Sequence, residues 1–413
     1  MALKTENYWQ ERGLLYPPNP PSNRSRTRAN PAMKNQFMEF SVDRLEDRLL
    51  LTGVGADSQS TYEPGIDSTV GFNLVSFSRQ RGKQARTNWE QGLQSLSDNG
   101  VTHVTLNVYR EARASNGAIV GSQGTGNDVL KVSLQKAEEL GLHVTLSPIF
   151  EVVGGDDSWR GEFNPDGADG KRFQRTYGNW ARQLARFGER FGAERLNVGT
   201  ELVALTSDPA NNEFVTDVIS TADRFFSGEI GYAANWNNLD NANLAETVWN
   251  NSIIDYVGVD AYFSGPDAIV DQATAANSAT NPDFITEVTA GWNNVIDNVI
   301  LPVADAAQDG AGLPVVIQEF GAVPFDFTSV NPFSITPGEF TTGIEGETVD
   351  SQEQADVLEG LLNALDGRGE EIVGVNFWTW TFEGNPYDTF GLGPNSSPDA
   401  QLATDVILDF VNG

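Results

Sequence analysis

The chain predicts a single (β/α)8 barrel preceded by an unlike N-terminal stretch, and three observations carry that expectation. Its 413 residues are too many for one small core and suit one large barrel with extensions. Eight short, β-branched, hydrophobic segments alternate with stretches of helical periodicity from about residue 68 onward. Alternation of this kind is the mark of strands buried on both faces by flanking helices. An open doubly wound sheet is the competing architecture. It lacks its Gly-rich fingerprint here, because the first candidate strand runs into SRQRGK.

The candidate strands are VGFNLVSF (70–77), VTHVTLNVY (101–109), HVTLSPIF (143–150), RLNVG (195–199), EIGYAANW (229–236), DYVGVDAYF (255–263), LPVVIQEF (313–320) and IVGVNFWTW (372–380). Candidate helices lie between them. WEQGLQSLSDNG (89–100) and NDVLKVSLQKAEELG (127–141) both end on a glycine stop signal, and Asn127 is placed as an N-cap. Further helices are expected over 173–192, 213–226, 285–308 and 351–365, and 399–411 closes the chain. The barrel domain is set at 63–413 and a disordered leader at 1–62.

That leader holds YPPNPP (16–21), SNRSRTR (22–28) and FSVDRLEDRLLLTG (40–53), with more Lys and Arg than Asp and Glu. The apolar LLL is too short for the core of a secretory signal. LEDRLLLTG (45–53) resembles the short L-E-P-R-x-L-L motif near the N-termini of exported bacterial proteins, with Asp47 in place of proline. Export to the cell surface or medium is the expectation.

Composition restricts the chemistry. There are no cysteines, so thiolate, disulfide and Cys-metal chemistry are excluded. Two histidines, His103 and His143, argue against Ser-His-Asp catalysis and against a His-rich metal site. Both lie inside candidate strands and are expected as hydrogen-bonded core residues. The net charge is −31, and from residue 225 to the end the only basic residue is Arg368. Such a surface disfavours nucleic acid and anionic membranes and suits a neutral substrate, unless a local basic patch overrides the field. No apolar run is long enough for a membrane span. DDSWRGEFNPDGADG (156–170) is acidic but lacks EF-hand spacing, so no metal is expected. No cofactor is expected, and the chain is expected to be a monomer.

Carboxylates remain as the reactive groups. VGTEL (198–202) and VVIQEFGA (315–322) are hydrophobic runs that each close on a glutamate, Glu201 and Glu319. Carboxylates disfavour strand interiors and resist unpaired burial. In a barrel the reacting groups sit at strand C-termini. Reading those ends gives Asn107 and Tyr109, then Glu151 with Trp159 and Arg160, then Glu201, Asn235 with Trp236, Asp260 with Tyr262, Glu319, and Trp378 with Trp380. These types match what sugars offer, hydroxyls and apolar ring faces. Trp378 and Trp380 lie two apart and are expected on one face of their strand, with one of them facing the cleft. Two carboxyls of opposed protonation are the minimum for breaking a glycosidic bond. Glu201 is expected as acid/base and Glu319 as nucleophile, with Tyr262 and Arg160 bonded to the nucleophile or substrate.

The ordered set GVTHVTLNV, AEELGLHVTLSP, WRGEF, NVGTEL, IGYAANW, YVGVDAYF, PVVIQEFG and GVNFWTW resembles clan A glycoside hydrolases, and more narrowly glycoside hydrolase family 113, over about residues 68–412. The resemblance implies a β-1,4-mannanase on a neutral β-linked polysaccharide, with the Glu of GTEL as proton donor and the Glu before Phe-Gly as nucleophile. An exo-β-mannosidase, another clan A β-glycosidase or an inactive glycan-binding barrel are the alternatives. Departures are SPIFE where many relatives have Lys-Pro-His, Thr200 where many clan A enzymes have Asn, and a long 331–350 loop.

Overall fold

The computed structural model describes residues 68–412, except 78, 122–123, 156–158, 334–348, 383–389, 395 and 397. The leader, most of the 331–350 loop and the start of the acidic 156–170 stretch lie outside the described residues. Among the described residues nine strands form one sheet: β1 Thr69–Leu74, β2 His103–Arg113, β3 Ile119–Val120, β4 His143–Val153, β5 Arg195–Thr200, β6 Glu229–Asn235, β7 Tyr256–Asp260, β8 Val315–Phe320 and β9 Ile372–Phe377. Their order is β1-β9-β8-β7-β6-β5-β4-β2-β3, and β1 also pairs with β2. That pairing closes the sheet. Eight parallel strands make the barrel, and β3 is a short antiparallel appendage on β2.

The strands are largely hydrophobic because helices cover their outer face. Between strands, helix Asn127–Leu140 stops at Gly141 and helix Gly167–Phe191 at Gly192, both left-handed with φ of 70° and 76°. Glycine adopts that conformation without a Cβ clash, so the stop signal read at Gly141 acts as expected, and Gly192 ends its helix in the same way. Gly126, not Asn127, takes the N-cap position of the first of these helices. The long helix expected at 285–308 is divided. Helix Phe284–Val295 passes through a π-helical turn, Ile296–Ile300, before helix Leu301–Gly310. Pro302 removes one backbone donor and crowds the preceding turn, which accounts for the wider loop of chain there.

Two strands outrun the sequence expectation. β2 and β4 stay paired for eleven residues each, from His103 opposite His143 to Arg113 opposite Val153. Tyr109, read as the last residue of its strand, and Glu151, read as the first residue after its own, therefore both sit within strands that continue past them. The histidines are also corrected. They open β2 and β4 at the bottom rim and stack on each other 4.6 Å apart, only partly buried. Both are hydrogen-bonded, His103 with Thr102 and His143 with Glu194. Burial, then His143 and Arg195, push His103 down to about 3, so it is neutral. Among the described residues no helix is long and apolar enough to cross a membrane.

The barrel interior is polar below the mouth. Asn107 gives its amide to Asn73 Oδ1 at 2.7 Å, and Asn73 gives its own to the Gln318 carbonyl at 2.9 Å. Tyr256 Oη donates to Asn197 Oδ1 at 2.7 Å, and Asn197 donates to Ser147 at 3.1 Å. This layer ties β1, β2, β4, β5, β7 and β8 together and is the floor on which the mouth residues stand.

Candidate active site

Glu201 is the first residue after β5, and its backbone is left-handed with φ 52°. For a residue with a Cβ that conformation costs on the order of 1–2 kcal/mol and persists only where surroundings impose it. The surroundings are visible. Its own N–H donates to the Ala233 carbonyl at 2.8 Å, and the next N–H, of Leu202, donates to Tyr232 Oη at 2.8 Å. The carboxylate is buried and takes three donors: Asn235 Nδ2 on Oε1 at 2.6 Å, and Arg160 at 2.5 Å with Trp159 Nε1 at 3.3 Å on Oε2.

Trp159 and Arg160 come from the turn after β4, where Arg160–Glu162 form one turn of 3-10 helix. The WRG sequence has a steric reason. The Trp159 ring lies against Gly161, where any Cβ would stand 2.2 Å from the indole. Arg160 lies within electrostatic reach of four carboxyls, Glu201, Glu319, Asp260 and Glu151. Burial works against its charge, but those four hold its pKa above the usual arginine value, so it is the fixed cation of the site.

The remaining acids arrive by register. Asn235 on β6 is opposite Asp260 on β7, and Asp260 is opposite Glu319 on β8. A bulge between Val259 and Asp260 sets that last pairing. Glu201, Asn235, Asp260 and Glu319 thus form a row across four adjacent strand ends. Glu319 is 5% exposed, as is Glu201, and Asp260 is 0%. Neither oxygen of Asp260 has a hydrogen-bond partner among the described residues. Burial first, then Glu319 and Glu201, hold its carboxyl well above the usual range, with Arg160 opposing. Asp260, between two glutamates, therefore holds a proton more tightly than a solvated carboxyl does.

Aromatic side chains surround the acids. Val75, Tyr109, Ile149, Tyr262, Val323, Trp378 and Phe390 form one cluster at the mouth, with Trp236 and Phe325 packed against it. Of the tryptophan pair, Trp378 belongs here. Trp380 instead packs edge-on against Phe72 at 4.9 Å and is fully enclosed in the core. The expectation that the two share a face fails because β9 ends at Phe377, so the period of two does not extend to them. Asn107 is also not at the mouth surface; it lies fully enclosed in the layer below. The remaining expected residues, Glu151, Trp159, Arg160, Asn235, Trp236, Asp260 and Tyr262, all gather around the mouth.

Two contributors were not expected. Phe77, 37% exposed, stands 5.6 Å from Tyr109 and 6.1 Å from Trp378. It ends the first candidate strand, so reading that strand's end like the others would have found it. Tyr232, which holds the backbone after Glu201, had no such signal. Among the described residues Asp326, Asp350 and Glu353 bring carboxylate oxygens within 4.8 Å of one another. Glu353 is already committed there, accepting from Phe327 N, Ser329 N and Ser329 Oγ, and it clamps the chain after β8.

A closed (β/α)8 barrel with four carboxyls gathered about one guanidinium at the C-terminal strand ends, ringed by aromatics, belongs to the carbohydrate-active class of barrels. The sequence profile of glycoside hydrolase family 113 matches residues 74–389. The chain belongs to that family and is a glycoside hydrolase. Its fold is similar to a GH113 β-1,4-mannanase (TM-score 0.61, 18% identity, 84% of this chain and 99% of that one). It is similar to a GH113 β-mannanase from Alicyclobacillus acidocaldarius in complex with ManMIm (0.59, 19%, 84% and 96%). It is also similar to the hyperthermostable endo-1,4-β-D-mannanase of Thermotoga petrophila RKU-1 (0.51, 13%, 84% and 99%). No curated protein matches the chain significantly in sequence.

Proposed function

We propose that the chain is a retaining endo-β-1,4-mannanase acting on a neutral β-linked polysaccharide, with Glu319 as nucleophile and Glu201 as acid/base. The observation that carries this is the placement of both glutamates, from the ends of β5 and β8, around the single guanidinium of Arg160. The family supports glycosidic hydrolysis, and the mannanases among its structural relatives support mannan as substrate.

In the first half-reaction Glu319 attacks the anomeric carbon and the glycosidic C–O bond breaks. The leaving oxygen takes the Glu201 proton. In the second, Glu201 takes a proton from water, the water oxygen bonds to the anomeric carbon, and Glu319 leaves as carboxylate. The raised pKa of Asp260, set first by burial and then by Glu319 and Glu201, disfavours a third negative charge in the row. Arg160 donates to the same Glu201 oxygen that Trp159 reaches, so a proton on that oxygen and the Arg160 N–H compete for one position. Trp378, Tyr109, Tyr262 and Phe77 supply apolar faces for sugar rings.

The test is hydrolysis of mannan, glucomannan, xylan and β-glucan by the wild type, Glu201→Ala and Glu319→Ala. Removing either group should lower mannan turnover by roughly 10²–10⁴-fold, with the anomeric configuration of the wild-type product retained. Undiminished hydrolysis by either variant would reject the assignment. LEDRLLLTG carries a second proposal, export, tested by mass spectrometry of the N-terminus of protein recovered outside the cell.

A further inference from the structure

The outer wall of the barrel carries a cationic row on a strongly acidic protein. Helix Gly167–Phe191 follows the Trp159–Arg160 turn and runs from the mouth side toward the bottom. Arg172, Arg175, Arg182, Arg186 and Arg190 are all exposed on it. At 100° and 1.5 Å per residue, their spacing confines them to an arc of about 80° over a length of about 27 Å. No other segment of this chain, whose net charge is −31, gathers positive charge in this way among the described residues.

None of the five makes an ion pair among the described residues, although arginines elsewhere do, as Arg86 with Asp128 and Arg195 with Glu229. Several lie over aromatic rings instead. Arg182 and Arg186 sit 6.0 and 4.3 Å from the Phe225 centroid, with Arg224 of the neighbouring helix 5.4 Å from it. Arg190 and Lys131 both approach Phe191. A guanidinium resting on a ring keeps its N–H edges free for a planar anion, which it can hold through two parallel bonds.

The character of the face selects the occupant. A stable protein interface needs a desolvated apolar centre. Among the described residues the exposed large hydrophobics, Phe77, Phe333, Val349, Leu402 and Phe410, all lie off this helix and its neighbour. The net charge of −31 opposes every polyanion, and it opposes nucleic acid, with one phosphate charge per ~1.7 Å of duplex, more than a polymer whose anionic groups lie further apart. A straight row on a convex wall suits an extended chain with spaced anionic groups. We propose that the arginine row is a surface site for an anionic polysaccharide, one bearing carboxylate or sulfate groups, distinct from the neutral-glycan cleft.

The experiment is affinity electrophoresis of the full chain through gels containing alginate, dextran sulfate or neutral mannan, with R182A/R186A/R190A as the variant. Wild type should be retarded by alginate, by dextran sulfate or by both, and less so as salt rises. The variant should bind those polymers about tenfold more weakly, three exposed charge contacts having been removed. Its hydrolysis of neutral mannan should match wild type, which also shows that it folds. Which polymer retards the protein distinguishes carboxylate from sulfate. The proposal is overturned if neither polymer retards the wild type at low salt, or if the variant binds as wild type does. Equal binding of single-stranded DNA of matched charge, or a salt-sensitive self-association lost in the variant, would reassign the row and equally overturn it.

Discussion

Replacing Asp260 by asparagine should make the protein more stable, and increasingly so as pH rises. Asp260 is fully buried, neither oxygen finds a partner among the described residues, and burial with two nearby glutamates raises its carboxyl well above the usual range in the folded state. In the unfolded chain the same group ionises near pH ~3.9. Above that pH the folded state binds one proton more than the unfolded state. Stability therefore falls with rising pH until the folded group itself ionises. The slope for one proton is about 1.4 kcal/mol per pH unit. An amide of the same shape has no proton to retain, so the variant lacks this slope. The two proteins should be close near pH ~4, and their difference should then grow by about 1.4 kcal/mol per unit, or roughly 2 °C in Tm for a domain of this length. Calorimetric melts of both proteins at several pH values between ~4 and ~7 measure it. A constant difference across the range would show Asp260 ionised in the fold. A difference that turns against asparagine as pH rises would show an Arg160–Asp260 ion pair, and either result would refute the reasoning.

Other perturbations follow from the same geometry. At Glu201, whose φ is 52°, the glycine variant should be more stable than the alanine variant by about 1 kcal/mol, the reverse of their usual order, while both lose mannan hydrolysis. Thermal melts of that pair of variants check the strain directly. Gly161→Ala places a methyl 2.2 Å from the Trp159 ring, so it should cost about 1–3 kcal/mol and, by displacing Trp159 and Arg160 together, lower kcat/KM more than tenfold. Glu353→Ala strands the buried N–H groups of Phe327 and Ser329, and a loss of about 2–4 kcal/mol by urea denaturation is expected.

Much of the site was legible because strand ends in a barrel are also site positions. Glu201, Asn235, Asp260 and Glu319 could be picked out as polar groups closing hydrophobic runs, and all four fall in one row. Arg160 stood out as an arginine beside a tryptophan and a glycine. What failed did so where local pattern stops governing direction. Trp380 was indistinguishable from Trp378 until the end of β9 turned one into the mouth and the other into the core. Asn107 resembled a sugar ligand, but its partner is Asn73, thirty-four residues earlier in the chain. His103 and His143 looked like core residues and proved to be a stacked pair at the rim.

Period, turn residues and composition were thus enough to fix the alternation of strand and helix, the closure into a barrel and the reliance on carboxylates, since each depends on residues near one another in sequence. The protonation of Asp260, the choice of Arg160 as shared counter-charge and the left-handed backbone of Glu201 depend on distances between groups brought in by different strands. Electrostatic energy and burial are properties of that three-dimensional arrangement, so only the closed barrel could decide them.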